Sequence, residues 1–384
     1  MRNCATILLA KCVVFVLINA QLSLNDRCQV ARSGTNGICR YYEDCPVVLN
    51  ELLDHGLTPT KCGFQDRKEI ICCPLPPTKK PITSSIMPNR ASEKKCIEYQ
   101  DAVNERVFSS VGLSGPPIEQ KVFRCSIATV PLIVGGENAL AKEFPHMALI
   151  GFEGRVDKSI SWKCGGSLIS DFFVLSAAHC MYAPGIGPAS HVLLGDLNYG
   201  SDNDDAQPRQ FIIIERIKHP DFKLPSKYND IALLRINGPV QFSNYIRPAC
   251  LPQTKSIDSH HVIASGWGRV NYSSTPSEQL QKVVLELFTQ RECNQTYSNE
   301  IGRQLSRGID VETQLCAGSH DSRKDTCQGD SGGPIQTYHA RVSCMYTLVG
   351  VTSFGKVCGT QGTPGVYTRV YTYLQWIEDI VWPN

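Results

Sequence analysis

The stretch from Asp325 to Pro334 reads Asp-Thr-Cys-Gln-Gly-Asp-Ser-Gly-Gly-Pro and concentrates the residue types that nucleophilic catalysis needs. A serine hydroxyl is a weak nucleophile until a base removes its proton and hydrogen-bond donors stabilise the oxyanion that forms on the attacked carbonyl. Gly329 and Gly332 allow a sharp turn, so the backbone N–H groups of Gly329 and Ser331 can point into one pocket, an oxyanion hole. Ser331 is therefore the candidate nucleophile, although glycine-rich turns of this composition also occur in ordinary loops.

Two upstream motifs supply the partners that such a serine requires. His179 follows the run Leu175-Ser-Ala-Ala and can act as the general base. Asp230 directly precedes an apolar run, where a carboxylate is costly unless it is paired, and it can hold the imidazole of His179 in the required tautomer. The chain order His, Asp, Ser is that of chymotrypsin and differs from the orders of subtilisin and the α/β-hydrolases. Because the base must start neutral, we expect activity to fall on acidification.

The elements that position these residues are predicted to be mostly β-strands. The chain has 384 residues, of which 42% are hydrophobic and 19% are charged, enough for a sizeable core. Five apolar runs have strand length and alternate with turns rich in Gly, Pro and Asn. They are Met147–Phe152, Phe172–Leu175, Phe211–Ile214, Ile231–Ile236 and Leu348–Val351. Helical spacing of Val370, Leu374, Ile377 and Val381 predicts one helix at the end of the chain.

The net charge of +2 gives no indication of nucleic acid or an anionic membrane as partner.

Residues 1–20 have the pattern of a secretory signal peptide, with Arg2, an apolar run over 13–18 and a small residue at Ala20. That run is shorter than the roughly 20 residues that span a bilayer, which argues against a membrane anchor. Of the 18 cysteines, Cys4 and Cys12 leave with the signal peptide. The remaining even number predicts disulfides and an oxidising compartment, and the spacing does not favour structural zinc.

The amino-terminal third divides into a cysteine-rich segment and a linker. Six cysteines fall within residues 27–73, a segment too small to be stable without cross-links, and fifteen pairings are possible. From Pro74 the chain is rich in Pro, Thr, Ser and Lys, which predicts a semi-extended linker as far as Leu132. The linker carries Cys96 and Cys125.

From Ile133 to the end, the chain resembles a trypsin/chymotrypsin-type serine protease. The matching motifs are Ile133-Val-Gly-Gly136, Ala177-Ala-His179-Cys180, Asp230-Ile-Ala-Leu-Leu234, Ser265-Gly-Trp-Gly268, Asp325 to Pro334, and Pro364-Gly-Val-Tyr367. With the amino-terminal segment, the whole resembles an arthropod clip-domain serine protease, closest to the branch containing snake and persephone. The resemblance implies two six-stranded antiparallel β-barrels with a C-terminal helix (133–384), preceded by a clip domain (27–73) and an activation segment (74–132).

The resemblance also implies a disulfide framework. In the clip domain it pairs Cys28 with Cys72, Cys39 with Cys62, and Cys45 with Cys73. In the protease it pairs Cys164 with Cys180, Cys293 with Cys316, and Cys327 with Cys358. Cys96 and Cys125 of the linker are left with Cys250 and Cys344, in either combination. One bridge of many relatives is absent, because Val262 and Thr337 occupy its positions.

Activation is expected at the bond between Leu132 and Ile133. In this family the new isoleucine amino terminus pairs with the aspartate before the catalytic serine, here Asp330, and a buried carboxylate gains from such a partner. The residue before the bond is Leu132, where most such zymogens have Arg or Lys. We therefore expect a separate upstream protease with an apolar preference rather than self-activation.

Substrate selection is expected to depend on Asp325, which the resemblance places at the floor of the specificity pocket. A carboxylate in a narrow slot favours Arg or Lys before the cleaved bond. Gly355 and Gly365 match wall positions that must be small. Ser353 and Gly355, on an edge strand, would hydrogen-bond the substrate backbone as an added strand.

No metal or cofactor is expected. The loop Asp196 to Asp205 has the carboxylates of a calcium site, but Arg209 stands where a ligand would be needed, so we interpret it as a solvated loop. Asn271 and Asn294 begin glycan acceptor motifs on predicted surface loops.

These expectations describe a secreted zymogen of an extracellular cascade in innate immunity, melanisation or developmental signalling, in haemolymph or a perivitelline-type fluid. Its partners would be the upstream activator, a downstream clip-protease zymogen or pro-ligand, and serpin-type inhibitors. The alternative is a catalytically inactive clip-domain homologue that serves as a scaffold. A digestive trypsin is disfavoured, since bulk proteolysis needs no docking domain.

Overall fold

A computed structural model describes the chain in thirteen stretches. They are residues 26–29, 36–41, 45, 59–65, 68–74, 90–102, 105–109, 118–122, 136–269, 275–302, 304–320, 330–356 and 362–383. The chain divides into two compact units, and the described residues up to 74 form one while those from 90 onward belong to the other. In the described stretches, no helix is both long and apolar enough to cross a membrane.

The amino-terminal unit is a small antiparallel sheet with strand order β1-β2-β4-β3. The strands are β1 (Arg27–Gln29), β2 (Asn36–Tyr41), β3 (Lys61–Gln65) and β4 (Lys68–Pro74). Disulfides join Cys28 to Cys72, Cys39 to Cys62 and Cys45 to Cys73, the pairings that the resemblance implies. Among the described residues of this unit, the buried apolar side chains other than cysteines are Ile70 and Ile71, and the cross-links add stability to this small core.

The linker contains ordered structure that the sequence does not reveal. Helix α1 (Ala91–Ala102) buries Ser92, Cys96 and Tyr99, and β5 (Glu105–Ser109) pairs with β6 (Ile118–Val122) in a hairpin. The prediction of a semi-extended linker is therefore wrong over these residues. The helix forms because it packs against the rest of the second unit, since its own sequence has little amphipathic pattern.

The second unit is mostly β-structure. Its strands are β7 (Glu137–Asn138), β8 (Met147–Glu153), β9 (Ile160–Leu168), β10 (Phe173–Ser176), β11 (Tyr182–Ala183), β12 (Gly187–Pro188), β13 (His191–Leu194), β14 (Arg209–Lys218), β15 (Ala232–Ile236), β16 (His261–Gly266), β17 (Gln281–Leu287), β18 (Gln314–Gly318), β19 (Pro334–Tyr338), β20 (Tyr346–Phe354) and β21 (Gly365–Arg369). Each of the five apolar runs singled out in the sequence lies in or overlaps one of these strands.

Two six-stranded antiparallel barrels result, as predicted. The first closes in the order β10-β15-β14-β13-β8-β9. In the second, the order is β16-β19-β20-β21-β18-β17, a β16–β17 pairing closes the ring, and β7 adds to β17. Helix α2 (Gln290–Thr296) precedes β18, and a 3-10 turn over Val370–Tyr373 leads into the predicted closing helix α3 (Leu374–Val381).

Candidate active site

The pairing of two first-barrel strands brings His179 and Asp230 together. β10 and β15 are antiparallel with Ser176 opposite Ala232, so the residues just after β10 meet those just before β15. His179 lies in a 3-10 turn at that end, and its Nδ1 is 2.7 Å from Asp230 Oδ2. The backbone N–H of His179 donates to Asp230 Oδ1 at 2.9 Å. The carboxylate therefore fixes both the position and the tautomer of the imidazole, leaving Nε2 as the proton acceptor.

Asp230 is only 2% exposed, and the second barrel provides a further donor to it. The hydroxyl of Ser353, at the end of β20, donates to Asp230 Oδ2 at 2.5 Å. Burial by itself raises the pKa of Asp230, but the side chain of His179, with the Ser353 hydroxyl and the His179 backbone N–H, lowers that pKa overall. The carboxylate is thus ionised at neutral pH and can stabilise an imidazolium beside it.

Ser331 lies in the turn before β19, next to the turn that carries His179. Its carbonyl oxygen accepts a 2.8 Å hydrogen bond from Gly165 N and lies 3.5 Å from Cys180 Sγ. Gly332 has φ +79°, and a Cβ there would stand 2.2 Å from Ser176 Oγ, so only glycine fits this turn. Within the described residues, no hydrogen bond joins His179 Nε2 to the Ser331 hydroxyl. Gly329, the other predicted oxyanion donor, lies outside them.

The carboxylate of Asp330 is directed at the Ser265-Gly-Trp-Gly268 motif. Gly268 N donates to Asp330 Oδ1 at 2.9 Å, and a Cβ on Gly266 would stand 2.1 Å from the same oxygen. The glycines of that motif are therefore needed to admit this side chain. Leu132 and Ile133, the predicted cleavage site and partner, lie outside the described residues.

Comparisons with known proteins identify the family to which the chain belongs. The family model described as Trypsin matches residues 133–377, which include the three candidate catalytic residues. The chain belongs to the trypsin family of serine proteases. It is 38% identical to serine protease snk of Drosophila melanogaster over 92% of this chain and 78% of that protein. It is 31% identical to CLIP domain-containing serine protease B4 of Anopheles gambiae, over 85% of this chain and 82% of that protein.

A third relative is the proclotting enzyme of Tachypleus tridentatus, 30% identical over 89% of this chain and 87% of that protein. Because each of the three alignments covers 85% or more of this chain, each extends well upstream of residue 133, where the trypsin match begins. This trypsin-family protease is therefore an arthropod clip-domain serine protease.

The predicted substrate-binding residues of this trypsin-family protease are partly described. Gly355 is exposed just after β20, and Gly365 is buried in β21. Asp325 lies outside the described residues. β20 lies between β19 and β21, so it is not an edge strand over its whole length. The pairing with β19 ends at Val351, however, so among the described residues the last part of β20 has a strand partner only on the β21 side.

Two of the protease disulfides implied by the resemblance are present, Cys164–Cys180 and Cys293–Cys316. Cys327 and Cys358 lie outside the described residues. The pairing left open in the linker is now resolved for one member, since Cys96 joins Cys250. Cys344 is also disulfide-bonded. Cys125, outside the described residues, remains its predicted partner.

The structure describes the candidate calcium loop and one of the two predicted glycan motifs. Asp205 forms a 2.7 Å ion pair with Lys142 and accepts a 2.6 Å hydrogen bond from Tyr245. Arg209 begins β14. Asn294 lies in helix α2 and accepts from the backbone of Ile309, so its assignment to a surface loop is wrong. Asn271 lies outside the described residues.

Sequence reasoning missed the contact of Ser353 with Asp230 and a buried ion pair. Lys282 Nζ lies 2.7 Å from Glu143 Oε1, with side chains that are 4% and 1% exposed. A lysine immediately before the apolar residues 283–285 carries the same signal that singled out Asp230, a charge next to an apolar run. No sequence signal connects Ser353 to Asp230, since the two meet only through the packing of one barrel against the other.

Proposed function

We propose that this chain is a secreted zymogen of a serine endopeptidase that cleaves other secreted proteins after Arg or Lys in a proteolytic cascade. The observation that carries the proposal is a buried, ionised Asp230 bound to His179, with Ser331 on the adjoining turn. The similarity to clip-domain proteases and to a proclotting enzyme supports the cascade role.

In the proposed mechanism, His179 Nε2 takes the proton of Ser331 as Oγ bonds to the substrate carbonyl carbon. The carbonyl oxygen becomes an oxyanion that the N–H groups of Gly329 and Ser331 stabilise. Collapse of this intermediate breaks the C–N bond, and His179 returns the proton to the leaving amine. Water then enters, gives a proton to His179 and releases the acyl group from Ser331 by the same steps in reverse. Asp230 stabilises the imidazolium in both halves.

The proposal includes control by cleavage between Leu132 and Ile133, with the new ammonium of Ile133 pairing with Asp330. The present contact of Asp330 with Gly268 N supports a site in which this carboxylate is already directed into the protein. Leu132 indicates an activator with an apolar preference, and Asp325 indicates that the activated enzyme prefers basic residues.

The test is an organophosphate probe that labels only an activated serine. The secreted full-length chain is made with residues 128–132 replaced by an enteropeptidase recognition sequence, so that it can be cut before Ile133. We expect labelling and cleavage of Arg peptides after the cut, little of either before it, and neither in Ser331→Ala. Asp325→Ser should retain labelling but lose Arg cleavage. A cut chain that neither reacts with the probe nor cleaves Arg peptides would overturn the proposal.

A further inference from the structure

Two lysines and two aromatic rings lie beside the free end of β20. Lys227 Nζ is 5.6 Å from the centroid of the Phe354 ring, and Lys356 Nζ is 5.4 Å from the centroid of the Tyr297 ring. The two rings contact each other edge to face, with centroids 5.8 Å apart. Aromatic faces attract cations, so this arrangement holds two positive charges around one apolar platform.

Neither lysine is neutralised by a carboxylate within the described part of the chain. Lys255 and Lys282, by contrast, form ion pairs with Glu312 and Glu143. Lys356 Nζ donates instead to the carbonyl oxygen of Thr296 at 2.6 Å, which fixes its position and leaves its charge uncompensated. Both lysines are half-buried, so their charges are less screened than those of fully exposed lysines.

The lysines lie where the residues preceding a cleaved bond would pass. Lys227 is three residues before Asp230, and Phe354 is the residue after Ser353. A substrate strand added at Ser353–Gly355 would advance about 3.3 Å per residue, and Lys356, three residues after Ser353, lies at most about 10 Å from it. That distance corresponds to roughly three substrate residues upstream of the one in the specificity pocket.

We propose that Lys227 and Lys356 select substrates that carry Asp or Glu two to four residues before the cleaved bond. The inference rests on the proposed endopeptidase function and adds a requirement that Asp325 does not supply. A carboxylate placed between the two ammonium groups forms charge-assisted hydrogen bonds, while a lysine or arginine there is repelled. The rings remove water from one side of each contact, which strengthens the preference.

The experiment compares fluorogenic peptides that end in the same Arg and differ only at one upstream position, Glu against the isosteric Gln. The enzyme is the full-length chain activated before Ile133. We expect kcat/KM to be about tenfold higher for at least one Glu peptide, and the ratio to shrink at high salt. Lys227→Gln and Lys356→Gln should each lower the ratio, and the double variant should bring it close to one.

Two further variants keep the test independent of folding. Lys356→Glu should reverse the preference, so that a Lys peptide is cleaved better than its Glu counterpart. Lys255→Gln is the matched control, because Lys255 forms an ion pair with Glu312 and is not one of the two proposed selecting lysines. It should leave the Glu-to-Gln ratio unchanged. Equal hydrolysis of Glu and Gln peptides at every position would overturn this inference while leaving the endopeptidase function intact. Absence of hydrolysis of all Arg peptides would instead overturn the function itself, and this inference with it.

Discussion

At the scale of single residues, the site depends on how Asp230 is kept charged in a place that excludes water. The desolvation of a carboxylate costs several kcal/mol, which hydrogen bonds and a neighbouring imidazole have to offset. Two of the three donors come from His179 itself, and the third is the hydroxyl of Ser353 from the other barrel. Ser353 is thus a positioning residue whose effect on catalysis acts through Asp230.

Replacement of Ser353 by Ala should lower kcat/KM for an Arg peptide about tenfold, a loss of about 1.4 kcal/mol that matches one hydrogen bond to a charged group. The backbone of residue 353 is unchanged, so the loss should appear in kcat and little in KM. Ser170→Ala is the control, because Ser170 is also buried and its hydroxyl, among the described residues, accepts only from the backbone N–H groups of Phe172 and Phe173 in its own turn. A change in KM alone, or a similar loss in the control, would contradict the role of Ser353.

A second prediction at this scale concerns the buried imidazole of His146. Burial lowers its pKa to about 4, although its hydrogen bond from Nε2 to Gln336 Oε1 acts the other way. The unfolded chain binds this proton more readily, with a pKa of 6.5. The free energy of unfolding should therefore fall as pH drops from about 6.5 to about 4, by at most about 3 kcal/mol from this residue.

Urea unfolding of the uncleaved chain at pH 7 and at pH 4.5 measures this dependence. In His146→Gln, which keeps a hydrogen-bonding side chain but cannot be protonated, the free energy of unfolding should change less between the two pH values. His339, whose pKa burial also lowers to about 4, contributes equally to both proteins and cancels from the comparison. Identical pH dependence in the two proteins would show that His146 plays no part.

At the scale of elements, helix α1 is held to the protease by contacts concentrated on Glu378 of α3. Arg90 donates to both carboxylate oxygens, at 3.2 and 2.7 Å. Ser92 donates its backbone N–H and its hydroxyl to Oε1, at 3.0 and 2.6 Å. At the other end of α1, Tyr99 packs on Phe242 and accepts a 3.0 Å hydrogen bond from Trp382 Nε1. Glu378 thus caps the first turn of α1 from outside the helix.

Glu378→Gln should weaken this attachment and lower stability by about 1–3 kcal/mol, since an amide has one acceptor oxygen and carries no charge for Arg90. Burial raises the pKa of Glu378, but the hydrogen bonds of Ser92 and Arg90 lower it overall. In the wild type, the stabilisation is therefore full above the ordinary value of 4.5 and is lost as pH falls through the lowered folded value.

Hydrogen exchange of the backbone N–H groups over 92–102 is the direct measurement. Protection factors, which correct for the slower intrinsic exchange at low pH, should be smaller in Glu378→Gln at neutral pH. They should fall on acidification in the wild type but not in the variant. Asp379→Asn is the matched control, because among the described residues the Asp379 carboxylate accepts its one hydrogen bond from Gln375, on the surface. Unchanged protection in Glu378→Gln would mean that Glu378 does not hold the helix.

The contrast between α1 and the barrels shows what the sequence could predict. Strand runs, turn residues and the His, Asp and Ser motifs are local patterns, and they predicted the β-structure and the residues that the structure brings together. The arrangement of the strands in two barrels was implied by the family resemblance instead. Helix α1 has no such pattern, because its stability depends on Glu378, more than 280 residues away. The pairs Ser353–Asp230 and Lys227–Phe354 were missed for the same reason, since each joins distant segments that only the completed fold places in contact.

At the scale of the whole molecule, the linker is attached to the protease part of the chain in two ways. One is the set of contacts that α1 makes, and the other is covalent. Cys96, in the segment before the predicted cleavage site, is joined by a disulfide to Cys250, 154 residues later. Cys250 lies between β15, the last strand of the first barrel, and β16, the first strand of the second. Cys344 is also in a disulfide, for which Cys125 is the predicted partner. Two tethers would therefore keep the amino-terminal part bound to the activated protease, and the loss of one would not release it.

Cleavage before Ile133 followed by denaturing electrophoresis distinguishes one tether from two. Without reductant, the cut wild type should migrate as one species, and with reductant it should separate into two chains. Cys96→Ser should still migrate as one species, because a bond between Cys125 and Cys344 remains, whereas Cys96→Ser combined with Cys125→Ser should separate without reductant. If Cys96→Ser alone releases the amino-terminal chain, Cys125 does not pair with Cys344. In that case noncovalent contacts, among them those of α1 with Glu378 and Trp382, would retain it under native conditions, which gel filtration of the cut variant would measure.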